Sequence, residues 1–356
     1  MRHLLIMAAG TGGHIFPGLA IADTMRARGW QVSWLGTLRG MEADIVPKHG
    51  IAFDAIDFAG MRGKGVKHAI IGALKMFVGL VRCRSIIRAR QPDVVLGMGG
   101  YVTVPGGMMA AMNGKPLALM NADAALLMSN KVLLPFAKKI LFGFAAEGMQ
   151  GDKAQLTGNP VRDEISRLPL PSERYARRVG PLNVLVIGGS LGARVLNDTV
   201  PAALAQMPEY LRPRIVHQSG KQLIEALKKN YESAGVDAEV VDFIDDMASR
   251  YADADLVICR AGAITVAELC AAGVASVLVP LVVSTTSHQR NNAQWMAQGG
   301  AAVHLPQAYM DTTSLAGLLH DMTRERCLQM AEAAYRQGRR DANEAIAGVL
   351  EQLGHS

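Results

Sequence analysis

Ala8-Ala9-Gly10-Thr11-Gly12-Gly13-His14-Ile15-Phe16-Pro17-Gly18 follows the apolar run Leu4–Met7 and precedes the apolar-periodic segment Leu19–Met25. That order is a strand, a glycine-rich turn and the first turn of a helix. Glycines there let backbone N–H groups approach an anion or a sugar closely, and the helix mouth adds partial positive charge. A histidine at this mouth is the first candidate for chemistry. The plainer alternative, a tight turn capped by His14, stays open on this stretch alone.

Working outward, the same unit recurs. In the first half, strands are predicted at Leu4–Ala8, Val32–Leu35, Ala52–Ile56, Val94–Gly97, Leu117–Leu119 and Ile140–Phe142. Helices are predicted between them at Pro17–Arg28, Met41–Lys48, Val66–Arg90, Pro105–Met112 and Leu126–Ala137. Alternation of this kind predicts an α/β fold with a parallel sheet covered on both faces. Gly158-Asn-Pro-Val-Arg162 breaks the pattern, and a linker rich in proline and charge is expected from Leu168 to Pro181. Val184–Ile187, Gly188-Gly-Ser-Leu-Gly192 and the helix from Ala193 to Met207 then start it again. Strands at 215–217, 240–243, 256–259, 276–279 and 302–305 follow, with helices at 263–272 and 289–297 and a helical final stretch. Two similar α/β domains in tandem are expected, their ligand loops at the carboxyl ends of the strands and meeting across one cleft.

Composition narrows the class. A chain of 356 residues, half of them apolar, with ordinary charge content is expected to be globular. Cys83, Cys259, Cys270 and Cys327 form no C-x-x-C pair, so a reducing compartment is expected and neither a disulfide framework nor a zinc site. Leu4–Ala9 is too short for a signal-peptide core and runs straight into the glycine loop. No apolar run approaches the roughly 20 residues that span a bilayer. The net charge of +6 is concentrated: 58–92 holds eight basic residues (Arg62, Lys64, Lys67, Lys75, Arg82, Arg84, Arg88, Arg90) and no acid. Ile70, Leu74, Phe77 and Val81 form an apolar stripe on the same segment. By default such a stripe packs a helix on the sheet. The uncompensated cations favour an anionic membrane surface, each contributing about 1 kcal/mol. Nucleic acid is not expected, since stacking aromatics and known motifs are missing.

The loops exclude some ligands and suggest others. A third glycine of G-x-G-x-x-G would fall at Ile15, and no acid follows Leu35-Gly36-Thr37 to bind a ribose, so the dinucleotide fingerprint fails. No G-K-[ST] is present for a P-loop. Gly188–Gly192 reads either as a phosphate cradle with the Ser190 hydroxyl or as a turn needed for close packing. Arg260-Ala-Gly-Ala-Ile-Thr-Val-Ala-Glu268 opens another helix after a strand, with Glu268 one turn inside and able to accept from ribose hydroxyls. Asp253-Ala-Asp255 precedes a strand, the wrong end of a parallel sheet for a ligand, and reads as a solvated helix end. Gln289, after the strand ending near Pro280, is a weak candidate for sugar hydroxyls. No metal site and no cofactor are expected.

Together, Gly10-Thr-Gly-Gly-His14 with Pro17-Gly18, Gly97-Met-Gly-Gly-Tyr101, Gly158–Arg162, Gly188–Ala193, Phe243-Ile-Asp-Asp-Met247 and the Arg260–Glu268 loop resemble the MurG family along essentially the whole chain. Members are peripheral membrane glycosyltransferases that make lipid II for peptidoglycan. The resemblance implies a GT-B fold of two Rossmann-like domains with parallel sheets facing across a cleft. It implies an acceptor- and membrane-side domain at 1–161 and a donor domain at 162–339, with a final helix at 340–356 returning to the first. It implies inverting transfer of N-acetylglucosamine from UDP-N-acetylglucosamine to the 4-hydroxyl of the muramoyl sugar of lipid I, at the cytoplasmic face of the bacterial inner membrane. Carried over by motif, Thr11, Gly12 and Gly13 would face donor sugar and acceptor. Arg162 and Ile244 would bracket the uracil, and Ser190 would take a phosphate. Ala263, Ile264, Thr265, Val266, Ala267 and Glu268 would hold diphosphate and ribose, and Gln289 the sugar hydroxyls. Lys64, Lys67, Ile70, Leu74, Lys75, Phe77 and Arg82 would face the membrane.

Two departures stand out. Members usually carry His-Glu-Gln-Asn where this chain has Met120-Asn121-Ala122-Asp123, and a glutamine where it has Leu191. Asp123 still accepts a hydrogen bond but cannot donate as an amide does, and Asn121 offers no acid or base. His14 is therefore the candidate base, kept neutral by the helix N-terminus. Its alternative role is to bind the acceptor's pyrophosphate. Rival functions are a UDP-N-acetylglucosamine 2-epimerase-like enzyme and a non-catalytic nucleotide-sugar-binding membrane adaptor.

Overall fold

The computed structural model describes residues 1–10, 12–57, 66–145, 149, 151–189, 192–281 and 288–355, except for the side chains of 66–71 and 73. The chain divides into two compact units, Met1–Val161 with Asp341–Ser356, and Arg162–Arg340.

The first unit contains β1 (His3–Ala8), β2 (Gln31–Thr37), β3 (Ala52–Ile56), β4 (Val94–Gly99), β5 (Leu117–Asn121), β6 (Lys139–Phe142) and β7 (Ala154–Leu156). The second contains β8 (Asn183–Ile187), β9 (Arg214–Gln218), β10 (Glu239–Val241), β11 (Leu256–Cys259), β12 (Ala275–Leu278) and β13 (Ala302–His304). The sheet orders are β3-β2-β1-β4-β5-β6-β7 and β10-β9-β8-β11-β12-β13. Neighbouring strands are parallel in both.

Strand β1 shows why its sequence is apolar throughout. Leu4, Ile6 and Ala8 enter one core while Leu5, Met7 and Ala9 enter the core on the opposite face. A strand buried on both sides has no polar face to alternate with. The first of these cores is completed by Ile346, Ala347, Val349 and Leu350 of the terminal helix Ala342–Gly354. That helix is tied down by Asn343 Nδ2, which donates to the Val161 carbonyl at 2.9 Å, and by Arg28, which pairs with Glu344 and with Glu351 at 2.6 Å.

Both sheets reverse strand order beside their first strand, at β1/β4 and at β8/β11, the place where open α/β sheets bind ligands. Gly10–Gly13 and Gly99-Gly100 follow the strands at the first reversal; Gly188–Gly192 and Arg260–Gly262 follow those at the second.

Several expectations need correction. The first helix begins at Gly12, not Pro17, so Pro17 lies inside it and leaves the Gly13 carbonyl without its usual donor. The expected linker 168–181 is a packed part of the second unit. It contains the helix Pro171–Tyr175, whose end residues are buried, and Arg174 Nη1 donates to the Tyr251 carbonyl at 3.0 Å. Arg174 and Arg178 spend their charge on carbonyls and a carboxylate, while Glu173 and Arg177 stay exposed. Asp255 is likewise no solvated helix end: wholly buried, it pairs with Arg178 at 2.6 Å and accepts from the Asn183 N–H at 2.8 Å. Only Asp253 is exposed there. Strand β7 was not expected, while the helices Ile224–Ala234 and Met247–Asp253 lie between strands of the second half, where helices were expected without stated bounds. The strand is three half-buried residues at a sheet edge, with no alternation to signal it.

Candidate active site

In the first unit the site is built on backbone. Gly10, Gly99 and Gly100 adopt φ of +104°, +119° and +88°, where side chains are rarely accommodated. A Cβ on Gly100 would lie 2.2 Å from the Ala9 carbonyl oxygen, so the two loops at the strand reversal can touch only as glycine. A Cβ on Gly99 would lie 2.6 Å from His14 Cε1, which places the imidazole flat against that backbone. Trp34 supports the loop from below: its Nε1 donates to the Ala8 carbonyl at 2.9 Å, and its ring fills the space beside Gly18.

His14 is half-buried in the first turn of the helix Gly12–Ala27. Its Nδ1 is enclosed without a well-formed hydrogen bond, which leaves Nε2 as the nitrogen able to meet a substrate. Burial pushes the imidazole below its ordinary pKa, outweighing the charge of Asp123, the Met98 carbonyl and the charge of Glu42, each of which favours the protonated ring. A neutral ring at pH 7 accepts a proton.

The altered 120–123 stretch has a structural job. Asn121 is wholly buried. Its Nδ2 donates to the Asp123 and Ala125 carbonyls at 2.9 and 3.2 Å, and its Oδ1 accepts from Leu127 N at 2.9 Å and Asn130 Nδ2 at 3.1 Å. Asn159 Nδ2 holds the Ala122 carbonyl at 2.9 Å. These amides hold the backbone on either side of Asp123, whose charge acts on His14. Gly12 is half-buried and Gly13 exposed, while Thr11 lies outside the described residues.

In the second unit, the helix Ala263–Ala272 starts at Gly262 with no side-chain cap on its N–H groups. Ala263, Ile264 and Thr265 thus present an anion-binding helix mouth. The Val266 side chain is wholly buried, and its N–H is bonded to the Gly262 carbonyl at 2.9 Å. Ala267 is half-buried on the next position. Arg162 Nε donates to Glu268 Oε1 at 3.0 Å, and Tyr251 Oη to Oε2 at 3.4 Å. Burial pushes the Glu268 carboxyl above its ordinary pKa, against the pull of Arg162 and Tyr251. Arg162 also lines a hollow of about 360 Å³ with Glu164, Ile165, Asp245, Asp246, Met247 and Ala248; Ile244, buried, precedes that rim.

Arg260 reaches across to the chain that follows β12. Its Nη1 donates to the carbonyls of Val279 and Pro280 and to Gln307 Oε1, at 3.1, 3.3 and 2.8 Å. Gln289 Oε1 accepts from Leu281 N at 2.8 Å, so its carbonyl is already engaged. In the glycine loop, a Cβ on Gly192 would lie 2.2 Å from the Ser219 carbonyl oxygen. Ser190 and Leu191 lie outside the described residues.

The basic segment forms the helix Val66–Arg90. Its stripe does not pack on the sheet: Leu74 and Phe77 are 61% and 65% exposed, and Val78 and Val81 are also exposed. Cys83 and Ile87 face the core instead. Lys75 and Arg82 are exposed, whereas Arg90 pairs with Asp54 at 2.7 Å. An apolar hollow of about 330 Å³, lined by Phe77, Leu80, Val81, Arg84, Met109, Met112 and Asn113, lies beside the stripe. Lys64 and the side chains of Lys67 and Ile70 lie outside the described residues. Among the described residues no helix is long and apolar enough to cross a membrane.

Glu42 escaped sequence reasoning: it is a wholly buried carboxylate beneath the first glycine loop. Its only signal was an acid two residues after Gly40.

This geometry has known counterparts. Residues 4–142 match the glycosyltransferase family 28 N-terminal domain, and residues 183–346 match the glycosyltransferase family 28 C-terminal domain. A protein of Janthinobacterium sp. (strain Marseille) is 65% identical over 354 residues, covering 99% of each chain. Its counterpart in Herminiimonas arsenicoxydans is 66% identical, again over 99% of each chain. Both are named UDP-N-acetylglucosamine--N-acetylmuramyl-(pentapeptide) pyrophosphoryl-undecaprenol N-acetylglucosamine transferase. The crystal structure of Acinetobacter baumannii MurG superposes with a TM-score of 0.84 at 34% identity, covering 99% of this chain and 100% of that one. Since the two family domains fall one on each unit and the likeness runs the length of the chain, the chain belongs to glycosyltransferase family 28.

Proposed function

We propose that this chain transfers N-acetylglucosamine from UDP-N-acetylglucosamine to the 4-hydroxyl of the muramoyl sugar of lipid I, with inversion, giving lipid II. The observation that carries the reading is the 65% identity, over essentially the whole length, to a transferase named for that donor and acceptor.

The acceptor oxygen attacks the anomeric carbon, the bond from that carbon to the diphosphate oxygen breaks, and UDP leaves with the electron pair. His14 Nε2 takes the hydroxyl proton; the half-buried ring, its pKa lowered by desolvation, supports this role. The uncapped mouth formed by Ala263, Ile264 and Thr265 stabilises the diphosphate as charge develops, as does Ser190 of the glycine loop. Arg162 and the backbone of Ile244 bracket the uracil, Glu268 meets the ribose, and Gln289, through its amide nitrogen, meets the sugar hydroxyls. Thr11, Gly12 and Gly13 meet the donor sugar and the acceptor, and Asp123 accepts from a sugar hydroxyl.

The exposed Leu74, Phe77, Val78 and Val81, ringed by Lys75, Arg82 and Arg84, support docking on an anionic membrane, where a lipid-linked acceptor resides. Lys64, Lys67 and Ile70 extend that face by sequence.

The test supplies UDP-N-acetylglucosamine with and without a lipid I analogue, in EDTA. Acceptor-dependent UDP release is expected. Epimerised sugar without acceptor, or no turnover, overturns the reading. His14→Ala is expected to cut kcat about 100-fold or more. Near-normal turnover with a raised acceptor KM would leave His14 only an acceptor ligand.

A further inference from the structure

The reaction scheme above leaves Glu42 unused. It sits on the short helix Met41–Ile45, wholly buried. Oε1 accepts from Thr37 N at 2.9 Å and from Thr37 Oγ1 at 2.7 Å; Oε2 accepts from Gly10 N at 3.2 Å. The chain clears space for it. A Cβ on Gly36 would lie 2.7 Å from Glu42 Cγ, and one on Gly40 would lie 2.1 Å from Oε2.

Among the described residues its three partners are neutral donors, so there the carboxylate is held by hydrogen bonds. Burying a charge this way is costly, and an apolar side chain would fill the same space at lower cost if packing were the only need. What the carboxylate adds is direction. Bonds to a charged acceptor are stronger than neutral ones, and one of them, at 3.2 Å, holds a glycine amide in a left-handed conformation. That amide lies four residues before His14.

We propose that Glu42 is a positioning residue for the transfer: it pins the Gly10 amide and thereby sets where the helix mouth presents His14 to the acceptor hydroxyl. The proposal rests on His14 as the base. Glu42 has a second effect through charge. The groups that favour protonated His14 are Asp123 in the loop after β5, the Met98 carbonyl of β4 and Glu42 in the helix after β2. Removing the Glu42 charge therefore lowers the pH at which His14 titrates.

The experiment compares wild type with Glu42→Gln, which keeps the volume but turns an amide NH₂ toward at least one existing donor. It reads kcat, donor KM, melting temperature and His14 ring titration by NMR. The expected result is a fall in kcat of about 10- to 100-fold, the range a sub-ångström to 1 Å misplacement of a catalytic group produces. Donor KM stays within about twofold, and the His14 titration moves to lower pH. Normal kcat in a folded Glu42→Gln overturns the proposal. So does a fall in kcat with an unmoved His14 titration and a lowered melting temperature, which would mark Glu42 as merely structural. Should Glu42→Gln not fold, Thr37→Val removes one donor and keeps the charge: kcat is expected to fall about threefold with the His14 titration unmoved. Unchanged kcat in a folded Thr37→Val overturns the proposal equally. Failure of the base assignment shows separately, as near-normal turnover of His14→Ala.

Discussion

Arg162 and Glu268 meet side by side, Arg162 Nη2 2.9 Å and Nε 3.0 Å from the same carboxylate oxygen. The carboxylate is nearly enclosed, whereas the guanidinium still reaches the surface hollow of the second unit. One side chain therefore braces the other from behind, and both stand where the nucleoside of the donor is proposed to lie.

Glu268→Gln is expected to lower kcat/KM for the donor about 10- to 100-fold, mostly through KM, because a carboxamide cannot accept from Arg162 with the same charge assistance. Arg162→Lys should not restore a wild-type pair, since an ammonium cannot offer two nitrogens in one plane. Steady-state kinetics with the donor varied checks both. Unchanged donor kinetics in folded Glu268→Gln would remove the pair from the donor site.

A second expectation concerns acid. His217 is wholly buried, its Nδ1 2.9 Å from Tyr231 Oη and its Nε2 3.1 Å from Asn197 Oδ1. Asn197 donates its Nδ2 to the Ser219 carbonyl, so its Oδ1 accepts from Nε2–H, and Nδ1 accepts from the tyrosine hydroxyl. The ring is held neutral, its pKa pushed down to about 3 by burial. The unfolded chain takes up a proton below about pH 6.5 and the fold does not, so this stability is present above pH 6.5 and is lost toward pH 3. The slope is about 1.4 kcal/mol per pH unit for each such histidine, and His14 adds in the same direction. Denaturant unfolding at pH 6.5 and 5.5 should show a smaller acid loss in His217→Gln than in wild type. Equal losses would show that His217 does not set the slope.

How much of this was legible follows from where the information sits. The parallel sheets were readable because strands such as β1 are buried on both faces and must be apolar throughout. The glycine loops were readable because positive φ and close backbone contact leave few alternatives. Asp255 and the segment 168–181 misled for a shared reason: charge in sequence looks like water contact, yet Arg178 and Arg324 cross long sequence distances to neutralise one buried carboxylate. Glu42 was invisible because its partners, Gly10 and Thr37, carry no signal of a buried charge. The apolar stripe at Leu74, Phe77 and Val81 was seen, but periodicity alone cannot say whether a stripe faces a core or the outside.

That exposed stripe gives a third expectation. Leu74→Glu with Phe77→Glu removes apolar surface and places negative charge among Lys75, Arg82 and Arg84. Sedimentation with phosphatidylglycerol vesicles should weaken by about 10-fold or more, given about 1 kcal/mol for each charge near an anionic surface together with the lost apolar burial. The melting temperature should hardly move, since exposed positions away from packing change stability by about 0.5 kcal/mol or less. Raised salt should weaken wild-type binding as well. Vesicle binding unaltered by the double substitution would move the docking face elsewhere.

The charge of Asp123 favours the protonated form of His14. Asp123→Asn removes that charge while keeping size and an acceptor oxygen. The loop around it is held by the buried amides of Asn121, Asn130 and Asn159, so the substitution should leave that scaffold in place. With one fewer negative neighbour, His14 titrates at lower pH, and the base stays neutral further into acid. The acid limb of kcat should therefore shift toward lower pH in Asp123→Asn, while kcat on the plateau falls modestly because a less basic ring pulls the hydroxyl proton less strongly. In a double variant with Glu42→Gln the two shifts should roughly add, because the charges act on the ring from separate loops. A kcat profile whose acid limb stays put in Asp123→Asn would mean that the group titrating in that limb is not His14.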